Sequence, residues 1–305
     1  MRDHVHLPNS SFMIPVCLTR IKTRDGVVLN GIVVEPERKS DKTLIWIHGL
    51  TSNFYSGHAR VRELAETCRE NRIGFFSFNT RGHDIVARTS NKRSARRPRR
   101  KAFAGAAFER FADSIEDIRS VIRFARKLGY RNAILAGHST GANKALYYAY
   151  KTKDPAVKGL ALIAPISDVA AAAKDIGEAE LRKRVRVAER LQKTGAALMP
   201  AEIGIFSPKR YLSLFRPGEA EDVFPYHDPK ARWKELASVR VPIAVIIGKK
   251  DEHLDRPASQ LIEIFRARAR STKSFTESII PGANHGFKRK EEELSEAIVH
   301  WINGL

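Results

Sequence analysis

The chain has 305 residues, 43% of them hydrophobic, which is long enough for one well-buried α/β domain with an insertion. No stretch approaches the ~18–20 consecutive apolar residues of a membrane span, and the first twenty residues hold no run of signal length, so a helical membrane protein is excluded and a cytoplasmic setting is predicted. Two cysteines, Cys17 and Cys68, form neither a disulfide framework nor a metal motif, while a formal net charge of +20 raises the question of anionic partners.

In chain order, Val16 to Arg24 and Val27 to Glu35 read as strands around Asp25-Gly26, a hairpin signal that makes the sheet open antiparallel. A strand at 43–47, a helix over about 56–71 and a strand at 75–78 follow. Arg88 to Lys101 then holds eight cations and no acid. A helix is predicted over about 108–128, because Phe108, Phe111, Ile115, Ile118, Ile122 and Ala125 recur every three or four residues. Next come a strand at 133–136, a helix rich in Ala, Leu and Tyr, and a strand at 160–164. Further on lie strands at 241–247 and 275–280, a helix over 258–270 between them, and a terminal helix from about Lys290. Alternation of this kind predicts a mostly parallel central sheet with helices on both faces.

Between 167 and 234 the alternation stops. Ala170 to Arg190 reads as helix, 195–208 as irregular and Tyr211 to Phe215 as a short apolar turn. The predicted organisation is a core of residues 1–166 and 236–305 interrupted by a cap over 167–235. Tyr211, Phe215 and Phe224 are its candidate pocket residues, or else side chains that pin the cap down.

The most informative stretch is Gly137-His138-Ser139-Thr140-Gly141, a G-x-S-x-G sequence set between a strand and a helix. A random chain of this length contains the pentapeptide roughly one time in ten, so its meaning depends on context. A nucleophilic serine needs a base, an acid to orient the base, and donors for the developing oxyanion. Asp251 follows the 241–247 strand in Gly248-Lys249-Lys250-Asp251-Glu252, with Glu252 and Asp255 as rivals for the acid. His285 follows the last strand in Pro281-Gly282-Ala283-Asn284-His285-Gly286-Phe287 and is the base. Isolated, each would read as an ordinary loop residue; the order Ser, Asp, His at successive strand ends gives them a common purpose. The 43–47 strand runs into His48-Gly49-Leu50-Thr51, so the oxyanion donors are the backbone amides of Leu50 and Thr140.

On these motifs the chain from about Ile14 onward resembles the α/β-hydrolase superfamily. Four stretches, Asn79 to Asp84, Gly137 to Gly141, Ala164 to Asp168 and Arg210 to Leu214, are similar to the family related to fungal siderophore (fusarinine C) esterases. The resemblance implies an α/β-hydrolase fold and a serine esterase acting on a small acyl substrate. The basic run at 88–101 departs from that family.

The reaction so implied needs no metal or organic cofactor. Cations beside the serine edge of the sheet would steer an anionic substrate. Nucleic acid is disfavoured as a partner, since the basic run lacks interleaved aromatics and any nucleic-acid fold signature. A non-catalytic ligand-binding protein on the same scaffold is the alternative, and such a protein would be expected to have lost one of Ser139, Asp251 and His285. A nucleotide-binding reading is a poor third, because Gly137 and Gly141 match neither P-loop nor Rossmann spacing.

Overall fold

A computed structural model describes residues 14–89 and 102–305, so most of the basic run at 88–101 lies outside the described residues. The central sheet is built from β1 (Cys17–Lys22), β2 (Val28–Val34), β3 (Lys42–Ile47), β4 (Gly74–Phe78), β7 (Asn132–His138), β8 (Val157–Ile163), β9 (Ile243–Gly248) and β10 (Phe275–Ile280). Its order is β1-β2-β4-β3-β7-β8-β9-β10. β2 runs antiparallel to β1 and β4, and every other pairing is parallel. A separate two-stranded ribbon, β5 (Ala87–Thr89) with β6 (Ala102–Ala104), brackets the basic run.

The helices are α1 (His58–Glu70), α2 (Ser114–Lys127), α3 (Thr140–Thr152), α4 (Asp168–Ile176), α5 (Glu178–Thr194), α6 (Pro208–Phe215), α7 (Lys234–Ser238), α8 (Ala258–Arg268) and α9 (Glu291–Asn303). Side chains alternate across the central strands, so each strand feeds two cores. Leu44, Trp46, Phe75 and Ile134 pack with Val61 and Leu64 of α1 and Ile298 of α9. Ile45, Ile47, Phe76 and Leu135 face the other way, onto Ile118 and Ile122 of α2, Leu146 of α3 and Leu261 of α8. Burial on both faces explains why these strands are continuous apolar runs rather than alternating ones. Among the described residues no helix is long and apolar enough to cross a membrane.

The expected hairpin forms: β1 and β2 pair antiparallel, and the turn through Asp25-Gly26 is closed by Gly26 N–H to the Thr23 carbonyl at 3.0 Å and Thr23 N–H to the Val27 carbonyl at 2.8 Å. Within that turn the Asp25 carboxylate accepts from Thr23 Oγ1 and Arg81. The structure corrects other expected elements. The helix expected from 108 begins at Ser114, after a short 3₁₀ turn at Phe111–Asp113. Phe108 stacks on Phe103 instead, with ring centroids 5.4 Å apart, and the fully buried Glu109 is committed to an ion pair. The expected helix at 170–190 is two helices, broken where Gly177 adopts φ 80° and ψ 147°, outside the helical region. Tyr211 to Phe215 lies in α6, a helix begun by Ser207 as N-cap and Pro208 in the first turn.

The insertion between β8 and β9 has a small core of its own, in which Ala188 of α5 packs with Met199 and with Tyr211 and Leu212 of α6.

Candidate active site

Ser139 stands between β7 and α3 with φ 56° and ψ −128°, a conformation that costs a non-glycine residue on the order of 1–3 kcal/mol. The bend is possible because two neighbours lack side chains. A Cβ at Gly137 would overlap the Gly141 carbonyl, and one at Gly141 would overlap the Ile47 carbonyl oxygen of β3. The strand, the first turn of the helix and the adjacent strand thus meet at van der Waals distance. Ser139 N–H is tied back to the Ile163 carbonyl at 2.9 Å, and its Oγ makes no hydrogen bond to any described residue.

Asp251 and His285 come from the ends of the neighbouring strands β9 and β10. Gly248 lets their loops close, because a Cβ there would press on the Ala283 and Asn284 carbonyls. Two amides then join the loops, Lys249 N–H to the Ile280 carbonyl at 3.0 Å and Lys250 N–H to the Ala283 carbonyl at 2.8 Å. His285 Nδ1 lies 2.9 Å from Asp251 Oδ2, and the other Asp251 oxygen accepts from the His253 amide at 3.0 Å. Since Nδ1–H donates to that carboxylate, the Nε2 lone pair is left available. Of the rival acids, Glu252 accepts the backbone N–H of His285 at 2.9 Å, and Asp255 pairs with Arg256.

Two histidines of the motifs brace the backbone. His138 Nε2–H donates to the His285 carbonyl at 2.8 Å, and its ring stacks on Trp46. Burial, reinforced by Arg60, pushes its pKa well below the usual histidine range, so it stays neutral. His48 is also buried; desolvation and Lys144 push its pKa down to about 3. Its Nε2 accepts from the Thr80 amide at 3.0 Å, so Nδ1–H must donate to the Gly49 carbonyl 2.9 Å away. That bond fixes the loop carrying Leu50. A Cβ at Gly49 would stand 3.0 Å from Ser139 Cβ, so this glycine lets the loop approach the serine. The Leu50 and Thr140 amides donate to no described residue, and both residues line the cavity that Ser139 faces.

Behind this loop lies a buried charge network that sequence reasoning missed. Lys144 Nζ, on α3, bonds Thr80 Oγ1 at 3.3 Å and pairs with Glu109 at 2.7 Å. Glu109 also faces Arg210 of α6 at 3.4 Å, and Arg210 pairs with Glu221 through both terminal nitrogens. Burial raises the pKa of Glu109, but Lys144 and Arg210 outweigh it and hold the carboxyl below its ordinary value. The only sequence signal was a charged residue inside an apolar stripe: Lys144 in the Ala142–Leu146 stretch and Arg210 beside Tyr211-Leu212. The Asn79-to-Asp84 stretch is scaffold for the same region. Asn79 caps the Phe54 amide, Arg81 pairs with Asp117, and Asp84 accepts from Asn53 and His83.

Ser139 and His285 open onto a cavity of about 500 Å³. One wall is the Gly49–Ser52 loop, and the other is the insertion, through Ile176, Ile203, Phe206, Tyr211 and Phe215. Phe224 does not line it. It is fully buried against Trp233 and Phe265 and serves the main core. A larger depression of about 780 Å³ lies at the opposite ends of the strands, near Val157 and Pro242, away from Ser139, Asp251 and His285. Within the cavity the structure brings His285 to Asp251 but forms no hydrogen bond between His285 and Ser139; such contacts commonly tighten only when substrate binds.

A family model described as protein of unknown function (DUF1749) matches residues 100–304. No curated protein sequence matches the chain significantly. Among solved structures, an esterase from Pyrococcus furiosus, Pf2001, is similar over 95% of this chain and 91% of its own, with 17% identity and a TM-score of 0.62. Est1E from Butyrivibrio proteoclasticus, solved with ferulic acid bound, is similar over 94% of this chain and 98% of its own, with 18% identity and a TM-score of 0.63. XC6422 from Xanthomonas campestris, described as an α/β serine hydrolase without lid, is similar over 96% and 95%, with 18% identity and a TM-score of 0.56. These likenesses show an α/β-hydrolase fold.

Proposed function

The family match spans more than half of the sequence, so the chain belongs to the DUF1749 family, and for this member we propose hydrolysis of a small-molecule carboxylic ester through a serine acyl-enzyme. The observation that carries the reading is the 2.9 Å contact between His285 Nδ1 and Asp251 on the wall of the cavity that holds the strained Ser139. Ser139 Oγ attacks the ester carbonyl as His285 Nε2 takes its proton. The Leu50 and Thr140 amides receive the oxyanion, and Asp251 keeps His285 in the required tautomer. Collapse of the tetrahedral species expels the alcohol, protonated by His285. A water molecule, deprotonated by the same imidazole, then releases the acid. Residues 167–235 act as a cap whose aromatic wall excludes water from the acyl group. The esterase names of the structural neighbours and the narrower resemblance to siderophore esterases both support an ester over other acyl bonds.

A fluorophosphonate probe followed by peptide mass spectrometry tests the reading, and the adduct is expected on the peptide containing Ser139. Labelling at a different serine, or none on folded protein, would remove it. Asp251→Asn is expected to lower kcat for an aryl ester about 10³–10⁴-fold, because the amide would hold the imidazole in the wrong tautomer. Glu252→Gln is expected to cost less than about 10-fold, since among the described residues its carboxylate accepts only a backbone amide, which a glutamine oxygen can still accept.

A further inference from the structure

The helix α1 carries a cation on its buried face. Arg60 shares the stripe of Leu64 and Cys68, is 8% exposed, and lies over the Trp46 ring with its guanidinium carbon 5.3 Å from the centroid. Its Nη1 donates to the Gly286 carbonyl at 2.6 Å. That is its one hydrogen bond among the described residues. Nε is buried without a partner, Nη2 donates to no described group, and no described carboxylate comes within salt-bridge distance. Elsewhere in this protein buried cations are neutralised, Lys144 by Glu109 and Arg210 by Glu221. Arg60 departs from that pattern on the wall of the cavity that holds Ser139 and His285.

We propose that Arg60 is the anion-binding residue of the substrate pocket, and that the protein acts on esters carrying a carboxylate. The proposal rests on the esterase reading for the reaction but not for the binding site itself. A guanidinium with unused donors, desolvated against an indole face, forms charge-assisted bonds worth more than the same bonds in water. Desolvation has already lowered its pKa to about 10, with Glu291 opposing from farther away, so a bound carboxylate would relieve an existing penalty. The remaining charged groups on the cavity wall leave this role to Arg60. Arg184 is paired with Glu180 at 2.8 Å, and Asp175 is exposed. Burial and Glu221 push the pKa of Asp168 well above the usual carboxylate range, which weakens its repulsion of an anion.

Arg60 also anchors the loop of His285, so a variant can slow every substrate. The informative quantity is therefore a ratio. Using aryl hydrogen glutarate and its methyl-capped neutral counterpart, Arg60→Gln is expected to reduce the charged-to-neutral ratio of kcat/KM about 10- to 100-fold, while Arg60→Lys retains most of it. An unchanged ratio would overturn the proposal and leave Arg60 as a loop anchor. A second measurement is independent of turnover. In a Ser139→Ala background, glutarate binding followed by calorimetry is expected with Arg60 present and lost with Arg60→Gln. Absence of glutarate binding to the parent overturns the proposal even if Ser139 is labelled by the probe. Arg60-dependent binding sustains it even if Ser139 is not.

Discussion

Ser139→Ala is expected to lose ester turnover by about 10⁴–10⁶-fold and to take up no fluorophosphonate, while its thermal melt stays close to that of the parent. The loss is large because attack, proton transfer and oxyanion binding act as one unit, and without the nucleophile the His285–Asp251 pair has no serine proton to take. The fold is spared because Oγ contributes no hydrogen bond to any described residue. Backbone strain sharpens the test. At φ 56° and ψ −128° alanine inherits the whole penalty, whereas glycine escapes most of it. Ser139→Gly should therefore be equally inactive yet more stable than Ser139→Ala, by about 1 kcal/mol in urea unfolding. An active alanine variant would refute the mechanism. Equal stability of the two variants would mean that the elbow stores no strain.

The second large effect concerns stability. Glu109→Ala would leave the Lys144 ammonium in the interior with only Thr80 Oγ1 beside it, and would strip Arg210 of one of its two carboxylates. Removing one partner of a buried ion pair costs about 3–5 kcal/mol. For a chain of this size that corresponds to a Tm lower by roughly 5–10 °C. The double variant Glu109→Leu with Lys144→Met removes both charges and should recover much of the loss, because an apolar pair of similar volume avoids desolvation altogether. A single variant within about 1 kcal/mol of the parent would show that water reaches Lys144 and the network is not sealed.

Much of the fold was legible from the sequence because buried parallel strands and amphipathic helices leave periodic patterns. The runs at 43–47, 75–78 and 275–280 became strands at nearly the same limits, and α9 begins within a residue of its expected start. Errors arose where a local preference was overruled by a distant partner. Glu109 interrupted a helical period in order to meet Lys144. The short strands β5 and β6 have only three residues each, too few for a period to show. In the candidate site, Ser139, Asp251 and His285 stood out because glycine-flanked turns after apolar runs are a local signal. Lys144 and Arg60 did not, and His48 and Arg210 were visible only as members of motifs, since the significance of all four lies in which buried atoms they face. A charged residue at a core position of a helix was the available clue, and it names no partner.

The link between α6 and the buried acids of the core has a consequence for how this sequence can drift over time. The solvent side of α5 contributes no buried partner and is free to diversify, carrying new residues to the rim of the cavity. Arg210 is not free. It answers to Glu109, in the segment before α2, and to Glu221, eleven residues downstream. A neutral side chain at Arg210 leaves Glu221 without its cation, and one at either acid takes from Arg210 one of its two carboxylates, so relatives should retain all three or replace them together. The cavity wall can then be rewritten along one side of the insertion while its attachment is inherited as a block.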